Sequence, residues 1–233
     1  MEIDAIIQNQ LAQNPTQSYP MTDTNILQYN CGNSNGDKAK PGFDSIDPSR
    51  FPILAIQEPM VTERNPGYTY TPRNYRTSRP VSLGMRVVFM IHDKVPLTAW
   101  KHVSATDYTE LLQVSLNGTD LQIINIYSPP GPPSAPTIDK WEELEQVLRQ
   151  TKPGNLLLIG DLNCHHPAWG GRRIDPEPRA DHLIKRLERF QLTLLNQPGT
   201  ATWGRGGRDS TIDLGFATPG LIPMVMKYKP HPE

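Results

Sequence analysis

Cysteine is scarce. Cys31 and Cys164 are the only two in 233 residues, which leaves no disulfide framework and no zinc-type spacing and fits a reducing, intracellular setting. Long apolar runs are missing as well. No segment approaches the roughly 18 residues of a membrane span, and the amino terminus lacks the basic region and apolar core of a secretion signal, so a soluble protein is expected. Net charge is nearly absent, at −1, so any hold on a polyanion must come from local patches. Nor is there an internal repeat or a linker. With hydrophobics at 36% a core is available, and one domain is expected at this length.

What is present is a strand-and-turn pattern with two helices. Residues 1 to 24 are rich in Gln, Asn, Thr and Pro, with Ile3, Ile6, Ile7 and Leu11 at helical spacing; they are expected to form an amino-terminal arm, either loose or docked as a short helix. Strands are expected at Asn25 to Asn30, Ile53 to Gln57, Arg86 to Ile91, Leu111 to Leu116 and Leu121 to Tyr127, with Asn117-Gly118 turning the last two into a hairpin. Ile138 to Gln150 and Ala180 to Gln191 carry apolar residues on one face, as surface helices do.

The run GDLNCHHPAWGG, Gly160 to Gly171, follows the apolar stretch Leu156 to Ile159. A buried strand that ends in Gly-Asp delivers a carboxylate to the sheet's end, where open α/β sheets place their chemistry. Asp161 and Asn163 lie two residues apart, so in an extended chain both point the same way. One suits a proton or a metal, the other a phosphate or a water. Asn30, Glu58, Tyr127 and Asp213 also sit at strand ends. A hard cation such as Mg²⁺ wants oxygen ligands gathered from such ends and leaves room for a substrate phosphate.

The series LQYN, IQEP, NIYSPP, GDLNCHHPAWGG, TATWG and STIDL resembles the endonuclease/exonuclease/phosphatase superfamily. Its HHPAWGG extension looks more narrowly like the apurinic-type endonuclease domain of non-LTR (LINE-like) retrotransposons. The resemblance covers about residues 25 to 233 and implies an α/β fold of two packed, mainly antiparallel sheets flanked by helices, a four-layer α/β/β/α sandwich. It implies Glu58 and Asn30 at a Mg²⁺ (or Mn²⁺) ion, Asp161 handling the proton of the attacking water or of the leaving group, and Asn163 holding the phosphate. Tyr127 would lie against the scissile phosphate, Thr202 would support the site, and Asp213 would orient a catalytic histidine. The implied protein is a nuclear DNA endonuclease domain, monomeric in isolation and part of a larger polyprotein with a reverse transcriptase, that nicks target DNA to prime reverse transcription.

The carboxyl end departs from that pattern. The family's Ser-Asp-His segment does not occur in the twenty residues after Asp213, and His231 in KPHPE is read as a surface histidine. A truncated domain is therefore expected, with a core strand missing and an unpaired edge or gap in one sheet. This keeps a second reading open, an inactive remnant that folds and binds DNA.

Local charge points to nucleic acid. Arg64, Arg73, Arg76, Arg79 and Arg86 occur with no acidic residue among them and are interleaved with Tyr68, Tyr70 and Tyr75; guanidinium groups grip phosphates and tyrosines stack on bases. Residues 172 to 208, which begin with Arg172 and Arg173, carry a net charge of +4. These segments favour DNA over a phosphatase or sphingomyelinase substrate. His165 and His166 resemble zinc ligands, but adjacent histidines point apart and nothing completes a site; in the resembling family the pair shapes the loop. Trp169, Trp203 and Cys164 are expected to pack.

Overall fold

The computed structural model describes residues 2–8, 23–32, 42–116, 118–131, 138–205 and 207–230. Asn117 and His231 lie outside them, as does Leu11 of the arm.

Two six-stranded sheets form the body. The first is built from β1 (Glu2–Gln8), β2 (Asp23–Asn30), β3 (Ile53–Gln57), β4 (Tyr75–Thr77), β5 (Val87–His92) and β14 (Val225–Pro230), in the order β14-β1-β2-β3-β5-β4. The second contains β6 (Trp100–Ala105), β7 (Thr109–Leu116), β8 (Thr119–Tyr127), β9 (Asn155–Asp161), β10 (Thr193–Leu194) and β13 (Asp213–Ala217), ordered β10-β13-β9-β8-β7-β6. A small hairpin, β11 (Trp203–Arg205) with β12 (Arg208–Ser210), stands apart. Pairing is mostly antiparallel; β2 with β3 and β8 with β9 are parallel.

The apolar runs follow from burial on both faces. In β3, Ile53 and Ala55 turn toward the second sheet, into a cluster with Phe89, Ile91, Leu112, Ile123, Leu157 and Ile159. Leu54 and Ile56 turn the other way, onto Phe43, Phe51, Met85 and Met90. The second sheet's outer face is covered by α1 (Ile138–Leu148) and α3 (Pro178–Arg189), whose Trp141, Leu144, Val147, Leu183 and Leu187 are buried there. The Trp141 indole N–H donates to the Arg179 carbonyl at 3.0 Å and ties the two helices together. This is the expected α/β sandwich of two sheets. Its covering over the first sheet is loop with one helical turn at 42–45 among the described residues.

Residues 2–8 differ from the expected arm. They form β1, which pairs antiparallel with β2 on one side and β14 on the other. No gap is left between β2 and β14. The physical reason lies in the run Ile3, Ala5, Ile7, which alternates with period two and suits a strand. Helical spacing of Ile3 and Ile7 reads equally well in isolation, and only the two open ladders decide between them.

Candidate active site

The parallel pairs β2/β3 and β8/β9 point their carboxyl ends the same way, each sheet bringing two ends to one rim. Asn30 ends β2, Glu58 follows β3, Tyr127 ends β8 and Asp161 ends β9. Asp213 opens the antiparallel β13 and stands opposite Asp161 in register. These five, with Asn163, His165, Trp203 and Ser210, line a cleft of about 520 Å³.

Asp161 is the most heavily engaged. Its Oδ2 accepts from the Asn30 amide at 2.7 Å and its Oδ1 from the Asn163 backbone N–H at 3.0 Å. Burial pushes its carboxyl well above the usual range, and the Asp213 carboxylate pushes it further. Asp213 is also raised, chiefly by burial. Two like charges on neighbouring strands cannot both ionise cheaply out of water.

Asn163 has a left-handed backbone, φ 45°. Its side-chain amide donates to the Ser128 carbonyl at 3.0 Å. Glu58 is also left-handed, φ 49°, with its N–H bonded to the Arg86 carbonyl at 2.8 Å. Both turns sit where the chain leaves a strand, and strained turns of this kind cluster at functional sites. The Tyr127 hydroxyl is held in protonated form, first by burial and then by the charge of Glu58 and a hydrogen bond to it.

Thr202 is fully buried and does not line the cleft. Its hydroxyl oxygen accepts from the Ile212 and Asp213 amides, both at 3.0 Å, so it fixes the start of β13. The side-chain partner of Asp213 across the sheets is Gln28, whose Nε2 donates to Oδ1 at 2.9 Å. Gln28 was not singled out in the sequence. The signal was there, since Gln28 and Asn30 are two apart on one strand and so share a face.

The two histidines part company. His166 caps α2 (Pro167–Gly170), where its Nδ1 accepts from the Ala168 N–H at 3.0 Å, and its ring lies against Trp169. His165 faces the cleft, with Nδ1 2.6 Å from Glu177 Oε1. Trp169 is buried, its indole N–H on the Cys164 carbonyl at 3.0 Å. Cys164 packs as expected, its thiol pushed up to about 12 by burial. Trp203 does not pack: it is 40% exposed and borders the cleft.

The basic residues divide likewise. Arg64, Arg73, Arg172 and Arg173 are exposed. Arg76 is ion-paired with Asp93. Arg79 is turned inward, bonded to the carbonyls of Val87 and Thr106 at 3.1 Å and near Glu110. Tyr75 is buried, with its hydroxyl on the Phe51 carbonyl. Tyr75 therefore has no face left for a ligand, because short β4 sits on the first sheet and Tyr75 completes the core, while Arg79, two residues past β4, is half-buried with its guanidinium on backbone carbonyls.

A chain with this rim of strand-end Asn, Glu, Tyr and Asp residues can be compared with known proteins. Residues 121–232 match the family described as endonuclease-reverse transcriptase. The endonuclease domain of TRAS1, a telomere-specific non-LTR retrotransposon, superposes with a TM-score of 0.64 at 21% identity, covering 85% of this chain and 86% of that one. The AP endonuclease LMAP from Leishmania major gives 0.61 at 11% identity, over 85% and 80%. An endonuclease/exonuclease/phosphatase family protein from Leptotrichia buccalis C-1013-b gives 0.53 at 12%, over 84% and 88%. The fold is that of the endonuclease/exonuclease/phosphatase superfamily. Among curated proteins no sequence matches. No helix of the described residues is long and apolar enough to cross a membrane.

The donor set fits a hard cation. Glu58, Asp161 and Asp213 share the cleft with Asn30, yet among the described residues no three acidic or histidine side chains close into a cage. Mg²⁺ is commonly held in that way, by one or two carboxylates with the remaining positions left to water and substrate phosphate.

Proposed function

We propose that this chain is a Mg²⁺-dependent phosphodiesterase, the DNA endonuclease domain of a non-LTR retrotransposon, which nicks duplex target DNA so that the new 3′ hydroxyl primes reverse transcription. The observation that carries this reading is the buried Asp161, raised in pKa and bonded on both oxygens, on one cleft with Glu58, Tyr127 and Asn163. A carboxyl with raised proton affinity is, once ionised, a stronger base toward water than an ordinary carboxylate. Asn30 and the Asn163 amide aim it. The Asn163 side chain is the donor placed for phosphate oxygens, which gather negative charge in the transition state, and Tyr127, whose hydroxyl donates to Glu58, lines the cleft beside it. Glu58, with Asn30 beside it, would hold the ion, whose contribution is to neutralise charge on the phosphate oxygens. Mn²⁺, with similar oxygen preference, would serve as well.

Exposed Arg64, Arg73, Arg172 and Arg173 supply cations for the DNA backbone. The endonuclease-reverse transcriptase family match supports a place beside a reverse transcriptase in one polyprotein, and a nuclear location is part of the same proposal. As an isolated domain the chain is read as a monomer.

One observation favours a second reading. Asp213 is engaged by Gln28, where the family resemblance implies a histidine, as in a remnant that binds DNA without turnover. Incubation with supercoiled plasmid, with Mg²⁺ or EDTA, beside Asp161→Ala separates the two. Nicking that needs both Mg²⁺ and Asp161 supports the enzyme; no nicking by the folded chain supports the remnant.

A further inference from the structure

We propose that His165 is the general acid of this cleft, protonating the leaving 3′ oxygen, with Glu177 as its positioning residue; this rests on the phosphodiesterase reading above. The imidazole that lines the cleft among the described residues is that of His165. Its Nδ1 lies 2.6 Å from Glu177 Oε1. A carboxylate only accepts, so Nδ1 carries the proton and Nε2 is the nitrogen left to the cleft.

The support behind the ring is built. Glu177 Oε2 accepts from the Arg179 Nε–H at 2.6 Å, and the Arg179 side chain is only 5% exposed. The Glu177 backbone N–H in turn donates to the His165 carbonyl at 3.0 Å. Side chain and backbone thus lock the same two residues together. Burial works against the Glu177 charge, but hydrogen bonds from His165 and Arg179 outweigh it and hold the carboxyl below its usual range. An acid acting from Nε2 starts as the doubly protonated ring, and Glu177 is the acceptor that holds its Nδ1–H. His166, one residue on, is spent on capping α2 and on Asp181 at 3.3 Å, which leaves the acid's role to His165.

The step balances. Water oxygen bonds to phosphorus and gives its proton to the Asp161 carboxylate. The bond from phosphorus to the 3′ oxygen breaks, and that oxygen takes the proton from His165 Nε2. The products are a 3′ hydroxyl and a 5′ phosphate, with both side chains restored by exchange with solvent.

A sulfur leaving group needs no proton, and this gives the test. Once the main nick site on plasmid is mapped, two duplexes carrying it are made, one with oxygen and one with sulfur as the scissile 3′ atom, and each is cut by the full chain in Mg²⁺. His165→Asn is expected to lose about 10²- to 10⁴-fold on oxygen, the range of a general acid, and less than about tenfold on sulfur. Glu177→Gln is expected to lose less on oxygen and to be relieved by sulfur in the same way, a relief that a merely structural role would not produce. Thermal melting establishes that each variant folds, and His165→Gly with added imidazole gives an independent readout by recovery on the oxygen duplex. Equal losses on both duplexes, or no loss, overturn the proposal alone. Failure of the wild-type chain to cut either duplex overturns the phosphodiesterase reading, and this proposal with it.

Discussion

Asp161 and Asp213 stand directly opposite each other on β9 and β13, two buried carboxyls paired across an antiparallel ladder. Like charges opposite each other destabilise a sheet. Here the cost is borne where a cation and a phosphate would enter, and a pH dependence follows. Both carboxyls are raised in the folded state, Asp161 to about 8. The folded protein therefore binds more protons than the unfolded chain between the ordinary carboxylate range and that value. Stability is fully present below the ordinary range and is lost as pH rises through the folded values. Metal-free protein should melt progressively lower from about pH 4 to about pH 8. Asp213→Asn should flatten the profile and raise the alkaline melting point by at least ~2–4 °C, the shift that 1 kcal/mol gives in a chain of this size. A melting curve that does not change with pH would count against the pairing.

Asn163 separates side-chain chemistry from backbone strain. Its φ of 45° suits Asn and Gly and costs roughly 1–2 kcal/mol for Ala. Asn163→Gly should lower nicking by about 10²- to 10³-fold, as loss of one transition-state donor does, and lower the melting temperature only by what the lost hydrogen bond to the Ser128 carbonyl contributes. Asn163→Ala should lower both, and the melting temperature by more. Nicking rates and thermal melts on the two variants check this together.

Gly160 admits no side chain. A Cβ there would lie 1.8 Å from the Ile126 carbonyl oxygen, which belongs to the neighbouring strand's backbone and cannot swing away. Gly160→Ala should cost about 3 kcal/mol or more and displace Asp161, next in the chain. Denaturant unfolding measures the first effect and nicking the second.

Deleting residues 1–22 should strip β1 from between β2 and β14. Two ladders are lost together, and β2 carries both Gln28 and Asn30. We expect a loss of about 5 kcal/mol or more, comparable with the whole stability of many domains, and aggregation through the exposed edge of β2. Melting with light scattering reads both, and a deletion that melts like the full chain would remove β1 from the fold.

Arg64, Arg73, Arg172 and Arg173 should act through phosphates. Each Ala substitution at a contacting position should reduce the slope of log affinity against log salt by about 0.9 and weaken all sequences alike. Arg79→Ala should instead lower stability, since its guanidinium holds backbone carbonyls. Binding titrations across salt, beside a melt, distinguish the two classes.

Much of the fold is written locally. Ile53–Gln57 needs only its own apolar run to be read as a strand, and Gly118, φ 79°, turns Leu116 back onto Thr119. The two helices announce themselves through residues three and four apart, with bounds two residues off at one or both ends. Asn30, Glu58, Tyr127, Asp161 and Asp213 are legible because strand ends in α/β sheets converge, so position along the chain already implies a shared rim. Trp203 was misread because its neighbours in sequence do not tell whether hairpin β11/β12 folds onto the body or stands beside the cleft.

The sequence by itself therefore determined the element types, the strand-end residues and the chemistry they imply, since each depends on periodicity and turn signals within a few residues. Tertiary structure alone decided what meets across the sheets. Gln28 reaches Asp213 over 185 residues of chain. β1 becomes a strand because β2 and β14 both offer it open ladders. Tyr75 and Arg79 are withdrawn into the interior while Arg64 and Arg73 of the same segment stay outside. His165 and His166, adjacent in sequence, are given opposite tasks by Glu177 and Ala168. Such outcomes depend on burial and on partners distant in the chain, and no local pattern encodes either.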